Sequence, residues 1–443
     1  MPHSSPSSAS ALELSFRARP EDFAVEELPA FAPSGEGQHA WLWIEKLGRT
    51  TPEVGQRLAK LGGVDPRGVG HAGLKDRQAR TRQALTLDGA DPEKLRGFAE
   101  PGLVVLETGR TRAKLRPGQL RGNRFELRLR GLDAAGAAEF ERRLGQASER
   151  GFGNRFGPQR LGTGGRHGEL ALAWLRGDLE RAVDWLLARP LPGDFGALRE
   201  ARELAAAGEF RAAAERYPRE YAAEARAARA RAADPLRPQA ALMSLPGPQR
   251  RLLLEAGQAL LFNAWLERRG PDLSRLLAGD VCQRSGSRGP FVALDLEREQ
   301  PRSAAFEISA AGPLFGAGMF PAQADALELE RGLLADHGLD RESFAREPGA
   351  RLPGDRRPCR LRPAAARLGP AAVDDLGPFR ALQFELPPGA FATALLAELS
   401  GGGAIDLGGR AGQDGDPRCP AQPGPAPGDS PPSLPATGRP DRP

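Results

Sequence analysis

Residues 124–130 alternate without a break between charged and apolar side chains, and this alternation limits the possible folds more than any other feature of the chain. A period of two is typical of a β-strand that buries one face and exposes the other. Shorter strand-like runs occur in the same region, at residues 23–27, 40–45, 84–88 and 102–108. Strands of antiparallel character, mixed with helix, predict an α+β domain.

One helix is predicted among these strands. Thr51 and Pro52 indicate its start, with Thr51 as the N-cap and Pro52 in the first turn. Val54, Leu58 and Leu61 predict its buried face, because their spacing places them on one side of a helix.

The pattern changes to helical periodicity after Leu132. Residues 197–233 are rich in Ala, Glu and Arg and contain few large apolar residues, which favours a solvated helical hairpin over disorder. A longer apolar helix is predicted around residues 252–265, followed by strands and loops over 279–320 and a helix near 322–334. The middle of the chain is therefore expected to be largely helical.

A short strand and a final helix are predicted over residues 383–399, and this unit is too small to fold alone. We therefore expect it to return to the N-terminal sheet, which makes the middle of the chain an insertion. The predicted boundaries are a disordered N-terminus 1–11, a first part of the main domain 12–150, an insertion 151–362, a return 363–400 and a disordered Gly/Pro-rich tail 401–443.

The composition gives a weak indication of the partner. The chain has 443 residues, of which 40% are hydrophobic, enough for two or three domains with proper cores. The net charge of +5 and the pI of about 9.5 slightly favour polyanionic partners. Arginine supplies nearly all of the positive charge, so we attribute roughly half of the basic excess to the codon bias of a GC-rich genome.

Several classes of site are disfavoured by the spacing of the candidate residues. Cys282, Cys359 and Cys419 form no CxxC pair and the histidines form no HExxH motif, so neither a disulfide framework nor a zinc site is expected. No apolar run approaches the ~18 residues that a membrane span requires, and the Ser-rich start lacks the apolar core of an export signal. A soluble, cytoplasmic protein is expected.

Residues 73–83 place one carboxylate, Asp76, among Lys75, Arg77, Arg80 and Arg82. Nearby positive charge favours the ionised form of an acid, and an ionised aspartate can act as a nucleophile or a base without a metal. The same cations would attract a phosphate backbone. From spacing alone, a turn-forming aspartate in a charged surface loop is the commoner outcome.

A series of further motifs, in order along the chain, resembles the TruD-type tRNA pseudouridine synthases. The segment around Asp76 resembles the family signature, and the other matching segments are 20–27, 35–39, 114–116, 122–125, 153–162, 261–263, 279–281, 312–316 and 386–393. Any one of these patterns is weak, but the ordered series is strong and covers about residues 16–399.

This resemblance implies the pseudouridine synthase α+β catalytic domain, with an inserted and largely helical α+β domain between its strands. It also implies isomerisation of uridine 13 in the D-arm of tRNA: the base leaves C1′, rotates and rejoins through its C5, with no cofactor and no metal. By this match Asp76 is the catalytic aspartate. Whether Asp76 attacks C1′ of the ribose or removes the 2′ proton to give a glycal stays open.

Phe125 matches the active-site phenylalanine of the family. Chemistry at C1′ requires the nucleotide to leave its stack, and stacking on an aromatic ring contributes roughly 1–3 kcal/mol toward that step. The alternation alone favours a core role, because Phe125, Leu127 and Leu129 share one strand face. With the motif included, we predict that Phe125 stacks on the base.

The same match gives the remaining residues expected to bind the substrate, which are Asn123, Lys75, Arg17, Gln83, Gln159 and Arg160. Asn123 is expected either to tie the motif loop to the strand through its amide or to cap a turn. Lys75, like Arg77 and Arg82, is expected to pair with phosphates or with Asp76, or to lie in a solvated loop.

The positions of the other candidates leave two roles open for each. Gln83 either contacts the substrate or is an exposed strand residue, and Gln159 and Arg160 lie either in an RNA groove at the domain junction or in a plain hinge loop. His71 is expected to be structural. Arg17 stands where the family carries a lysine, which keeps the charge but changes the hydrogen-bond geometry. Arg155 replaces an aromatic residue of the family motif.

Alternatives to this function stay open on sequence alone. The same chemistry on another RNA fits equally well, because no motif names the substrate base. A non-catalytic RNA-binding or RNA-folding protein can keep the same fold. A metal-dependent nuclease is disfavoured because clustered His and carboxylate ligands are missing. The expected partner is tRNA near its D-arm, bound by a monomer without an obligate protein partner.

Overall fold

The structure is a computed structural model that describes residues 11–285, 289–345, 352–402 and 405–406. Most of the predicted disordered ends, residues 1–10 and 407–443, lies outside the described residues. The strands are β1 (Leu14–Ser15), β2 (Phe23–Pro29), β3 (His39–Lys46), β4 (Val69–His71), β5 (Arg80–Asp88), β6 (Ala99–Glu100), β7 (Leu103–Thr111), β8 (Leu120–Leu129), β9 (Phe152–Gly153), β10 (Asp280–Arg284), β11 (Pro290–Ala293), β12 (Ile308–Leu314), β13 (Asp355–Pro358), β14 (Arg360–Leu361), β15 (Ala364–Asp374), β16 (Gly377–Leu386) and β17 (Ile405–Asp406).

The α-helices of the described residues lie mostly in the middle of the chain, as expected. They are α1 (Thr51–Gly62), α2 (Ala134–Arg150), α3 (Pro158–Leu161), α4 (Arg166–Arg176), α5 (Leu179–Val183), α6 (Gly196–Ala206), α7 (Phe210–Arg216), α8 (Ala222–Ala233), α9 (Pro238–Met243), α10 (Gly247–Arg268), α11 (Leu296–Ala304), α12 (Ala324–Asp336) and α13 (Ala392–Ser400).

A nine-stranded sheet forms the centre of the molecule, in the order β15-β16-β8-β2-β5-β3-β7-β6, with β4 also paired to β5. Strands β2 and β5 run parallel, and the other neighbours are antiparallel. Strand β8 buries Phe125, Leu127 and Leu129, as its alternation predicted. The α+β prediction is confirmed.

We call the face of this sheet that α1, α2 and α13 cover the front face, and the opposite one the back face. The front face packs against α1 through Leu42, Ile44 and Leu85, and against α2 and α13 through a second group that includes Phe125 and Leu127. The back face carries charged residues such as Glu45, Arg82 and Glu26, and over part of its area a smaller apolar cluster that includes Trp41 and Ala84. Because alternate side chains of a strand point to opposite faces, the register fixes which residue lies on which side.

The N-cap of α1 is Thr50, so the prediction of Thr51 was wrong by one residue. The Thr50 hydroxyl accepts from the Glu53 amide and the Glu53 side chain accepts from the Thr50 amide, which is a capping box. Thr51 is buried in the first turn. Val54 and Leu58 are buried as expected.

The segment 197–233 is not a hairpin but three helices, α6 to α8, and many of its alanines are buried. The buried alanines of this segment are Ala201, Ala205, Ala213, Ala214, Ala225, Ala227 and Ala228. Alanine lets helix axes approach closely, so these helices bury a face made largely of small side chains, with only a few large ones such as Leu198 and Phe210 packed partly against the core. The spacing of large apolar residues therefore does not predict which face of these helices is buried. Helix α11 was also not predicted.

The C-terminal unit returns to the central sheet. Strand β16 pairs with β8 over seven residues, and β15 adds an edge strand to β16. Gly122 makes the approach possible, because a Cβ there would lie 2.4 Å from the Leu386 carbonyl oxygen. The chain leaves the sheet region through β9 and returns to it through β14, and these two strands pair with each other. The exact domain boundaries stay predictions.

Candidate active site

Asp76 lies in the loop between β4 and β5, on the front side of the sheet, with 39% of its side chain exposed. Its Oδ2 accepts a hydrogen bond from Arg17 Nη2 at 2.9 Å. Its backbone carbonyl accepts from Lys46 Nζ at 2.8 Å, and the same ammonium donates to the carbonyls of Lys75 and Arg49 at 3.2 and 2.8 Å. Lys46 is buried. The carboxylate is thus accessible while its backbone is held in place.

A second set of hydrogen bonds fixes the start of the loop. Thr51 Oγ1 donates to Gln83 Oε1 at 2.9 Å and accepts from the Lys75 amide at 3.1 Å. Gln83 Nε2 donates to the Gly73 carbonyl at 3.2 Å. Gln83 is fully buried, so the prediction of an exposed strand residue is wrong, and both ends of its amide are engaged within the protein. It positions the loop.

The cations that surround Asp76 in sequence do not surround it in space. Lys75 Nζ forms a buried ion pair with Glu27 Oε2 at 2.9 Å. Arg82 lies on the back face with Glu45, and Arg77 Nε donates to the Gly48 carbonyl at 3.0 Å. Of the alternatives given for these residues, pairing with Asp76 is not found, and their contact with phosphates stays a prediction. The cation at Asp76 comes from Arg17, 59 residues away in sequence.

Arg17 has an unusual backbone, with φ at +69° in the left-handed region that non-glycine residues rarely adopt. Its guanidinium carbon lies 4.0 Å from the centroid of the Phe23 ring. Its Nε is buried and has no hydrogen-bond partner among the described residues. A strained backbone of this kind persists only where the surroundings hold it, and here the ion pair and the ring do so.

Phe125 lies close to this group but is mostly enclosed, with 7% of its surface exposed. The Phe384 ring stacks on it, with centroids 5.1 Å apart and an interplanar angle of 17°. The Phe23 ring is 6.2 Å away. Contacts therefore connect Asp76, Arg17, Phe23 and Phe125, and Phe125 has a core role on the side that Phe384 covers.

Asn123 is the direct neighbour of Glu27 across β8 and β2. Its side chain is buried, and its Oδ1 has no hydrogen-bond partner among the described residues. The predicted tie between this amide and the motif loop is absent from that part of the chain. A buried polar atom without a partner is costly in a folded protein, so a ligand that supplies one would be stabilised here.

Gln159 and Arg160 lie on the one-turn helix α3. Gln159 is exposed, whereas Arg160 Nη2 pairs with Glu255 Oε2 at 2.7 Å and is partly buried. Arg155 pairs with Glu267 at 3.0 Å. The positive charges of this segment are thus largely neutralised within the protein.

Sequence reasoning missed the positioning role of Lys46 and the environment of Arg357. A lone lysine at the end of a strand carries no motif, and Arg357 is one of two adjacent arginines without a recognisable pattern. Desolvation by the surrounding protein, with a smaller effect of Arg160, lowers the pKa of Arg357 to about 9, although part of its side chain stays exposed. Burial, together with Lys75 and Lys114, lowers the pKa of His71, which is partly buried below the loop.

No cluster of three or more metal-ligating side chains occurs in the described ranges. Among the helices of those ranges, none is both long and apolar enough to span a membrane.

Comparison with known proteins gives consistent matches over most of the chain. The family described as tRNA pseudouridine synthase D (TruD) matches residues 7–399. A tRNA pseudouridine synthase D from Geotalea daltonii is 38% identical over 384 residues, which cover 87% of this chain and 96% of the relative. One from Anaeromyxobacter sp. (strain Fw109-5) is 39% identical over 393 residues, covering 88% and 93%.

A crystal structure from Methanosarcina mazei that carries the same name has a similar fold. Its TM-score is 0.76, with 24% sequence identity, and the match covers 88% of this chain and 94% of that chain. At this identity the likeness concerns the fold alone.

Proposed function

Because this chain belongs to the tRNA pseudouridine synthase D family, we propose that it converts uridine to pseudouridine in tRNA, with Asp76 as the catalytic residue. The observation that carries the assignment is the geometry of Asp76. Its carboxylate is accessible and oriented by Arg17 at 2.9 Å, while Lys46 fixes the backbone of the same residue. A carboxylate that acts as a nucleophile or a base must be accessible to the substrate and held in a fixed orientation.

The aspartate can act by two routes. In the first, an Asp76 oxygen bonds to C1′ as the C1′–N1 bond breaks; uracil leaves as an anion, turns, and its C5 displaces the carboxylate. In the second, Asp76 removes the 2′ proton as the same bond breaks, and the proton returns to C2′ when C5 bonds to C1′. In both routes C5 loses its proton and N1 gains one. Neither route needs a metal or a cofactor.

The remaining residues divide into those that meet the nucleotide and those that hold the loop. Asn123 offers an unpartnered amide oxygen, which suits the N–H groups of a uracil edge. Phe125 offers only the part of its ring that Phe384 leaves uncovered.

Lys75 and Gln83 hold the loop instead of binding the substrate, because Lys75 pairs with Glu27 and Gln83 accepts a hydrogen bond from Thr51. Gln159 is exposed and free to meet RNA.

The finer features of the substrate rest on the family resemblance. We propose uridine 13 as the target, the D-arm as the region contacted, and a monomer acting in the cytoplasm. An assay of tRNA transcripts with uridine at position 13 or with cytidine there tests the first point. Equal pseudouridine formation in both would contradict it.

The activity is tested by incubating unmodified tRNA with the wild type and with Asp76→Ala, and by mapping pseudouridine through carbodiimide labelling and reverse-transcription stops. Mass measurement alone is not sufficient, because pseudouridine and uridine are isomers. Asp88→Asn is the matched control, since Asp88 is an exposed carboxylate that pairs with His39. The same reaction in a strong chelator tests the independence from metal.

We expect stops with the wild type and with the control, with or without chelator, and none with Asp76→Ala. A wild type that binds tRNA without producing stops would support an RNA-binding protein instead. Persistent modification by Asp76→Ala would overturn the catalytic assignment.

A further inference from the structure

Arg357, on β13, lies where three parts of the chain meet. Its guanidinium carbon is 4.2 Å from the ring centroid of Phe156, 5.6 Å from that of Phe262 and 5.9 Å from that of Phe391. These rings come from the loop before α3, from α10 and from the residue before α13. The arginine thus sits at the junction between the middle of the chain and the returning segment.

The hydrogen bonds of Arg357 go to neutral groups. Nε donates to the Asn154 carbonyl at 3.1 Å, and Nη2 donates to the Asn154 side-chain oxygen and to the Gly389 carbonyl. Nη1 has no acceptor among the described residues, and no carboxylate of those residues lies within 4.0 Å of the guanidinium. The side chain is partly exposed. A cation at this junction therefore lacks a counter-charge and keeps two unused N–H donors.

Arg360, three residues later, provides a contrast within the same structure. Its guanidinium carbon lies 4.4 Å from the Phe306 ring centroid, and Nη1 and Nη2 donate to the carbonyls of Arg150 and Ser303. It is only 2% exposed. Both arginines stack on phenylalanine and bind backbone carbonyls. The unpartnered nitrogen of Arg360 is its buried Nε, whereas Arg357 has an unengaged Nη1 on a side chain that is partly exposed to solvent.

The neighbouring cation does not fill this role, because the charge of Arg160 is taken by Glu255. An arginine held by rings and carbonyls has already lost most of its side-chain freedom, so little conformational entropy is lost when a ligand binds it. A phosphate is the group that best matches a guanidinium edge, through charge and paired N–H donors.

We propose that Arg357 binds a backbone phosphate of the RNA substrate through Nη1, and so fixes the RNA at the junction between the middle of the chain and the returning segment. This inference rests on the proposed function, which brings RNA to this surface. It places an RNA contact of Arg357 at the domain junction, where the sequence pattern suggested that Arg160 lies in an RNA groove.

The test is the salt dependence of tRNA binding, measured by fluorescence anisotropy with an unmodified tRNA transcript on the full chain in an Asp76→Asn background, so that the RNA is not consumed. Arg357→Gln removes the charge but keeps a donor for the carbonyls. Arg357→Lys keeps the charge. Arg360→Gln is the matched control for the packing of an arginine on phenylalanine. The melting temperature of each variant is measured in parallel.

For Arg357→Gln we expect about ten-fold weaker binding, with the slope of log K against log salt reduced by roughly 0.7–0.9, the value for one lost phosphate contact. Arg357→Lys should keep the slope of the wild type. Arg360→Gln should keep it as well, even if its melting temperature falls.

An unchanged slope for Arg357→Gln overturns the proposal, and so does an equal change of slope for Arg360→Gln. If Arg357→Gln does not fold, Arg357→Met replaces it, since methionine keeps an apolar stem against the phenylalanine rings without the charge, and an unchanged slope for that variant overturns the proposal. Pseudouridine formation by the wild type is measured separately. If the wild type forms pseudouridine but the salt slope is the same in the Arg357 variants, the proposed phosphate contact is wrong and the enzymatic function is retained. If the wild type forms no pseudouridine, the proposed function is wrong.

Discussion

The two faces of the central sheet use charged residues in opposite ways. On the back face a row of cross-strand neighbours alternates in sign, and its members are Glu45, Arg82, Glu26, Arg124 and Glu385. Their ion pairs measure 2.8, 3.7, 3.0 and 2.8 Å along the row. On the front face the polar residues are buried, and two of them, Lys46 and Gln83, hold the loop that carries Asp76.

This difference shows why the arginines of a motif are a poor measure of RNA contact. Arg82 is part of the Asp76 motif in sequence, yet its charge is neutralised on the back face by Glu45 and Glu26. Exposed ion pairs of this type contribute about 0–1 kcal/mol each. Buried polar groups are more sensitive, because removing one partner leaves the other without a hydrogen bond. The front face should therefore respond to substitution far more than the back.

The largest effect is expected for Asp76→Asn on the front face. We expect the single-turnover rate of pseudouridine formation to fall by roughly 10⁴-fold or more, because the nucleophile or base is lost. The melting temperature should change little, since Asp76 is partly exposed. Glu26→Gln is the control from the back face and should retain the rate. A rate for Asp76→Asn within ten-fold of the wild-type rate would contradict the expectation that the front face is more sensitive to substitution than the back face.

Lys46→Met should have the next largest effect. The substitution leaves the carbonyls of Arg49, Lys75 and Asp76 without their donor, which costs about 1–3 kcal/mol of unfolding free energy. It also loosens Asp76, so kcat should fall by roughly 10²-fold while KM changes little. Denaturant unfolding and steady-state kinetics measure the two effects. The exposed Lys60→Met is the control; a rise in KM with unchanged kcat would contradict a positioning role.

Gln83→Leu should have a smaller effect on the rate, about ten-fold, because Lys46 still holds the other end of the loop. The unfolding free energy should fall by about 1–3 kcal/mol as Thr51 and Gly73 lose their partner. Gln383→Leu is the matched substitution on the back face, where Gln383 contacts Glu126 and Arg367 near the surface. Equal losses for both glutamines, by denaturant unfolding, would argue against the contrast.

The smallest effect is expected for Arg82→Gln. The unfolding free energy should change by less than about 1 kcal/mol, and both the rate and the salt dependence of tRNA binding should stay near those of the wild type. A reduced salt slope in an anisotropy titration would show that RNA contacts the back face. The charges of that face would then serve RNA binding and not only ion pairs within the protein.

The sequence allowed prediction of the features that depend on local pattern. The alternation of β8, the α+β class, the family and the loop position of Asp76 follow from neighbouring residues or from ordered motifs. The start of α1 was missed by one residue because Thr50 and Thr51 both fit a cap. Glu53, three residues after Thr50, completes a capping box that favours Thr50, while the Thr51 hydroxyl donates to Gln83.

The partners of the site residues depend on distant parts of the chain and were not predictable in the same way. Asp76 pairs with Arg17 across 59 residues, and Lys75 pairs with Glu27 across 48. The buried alanine faces of α6 to α8 were missed for a related reason, because small residues show their burial only when the helices pack. The roles of Asn123, Phe125, Gln159 and Arg160 toward RNA remain predictions.

The pairing of β9 with β14 has a consequence for how this architecture can vary. The entry and exit of the long excursion are joined by one short clasp, Phe152–Gly153 against Arg360–Leu361. The ends of the excursion are held together regardless of its length, and the entropy of closing a loop grows only slowly with loop size. Helices can therefore be added or removed beyond the clasp, as in the alanine-rich stretch, while the strands that carry Asp76 keep their alignment.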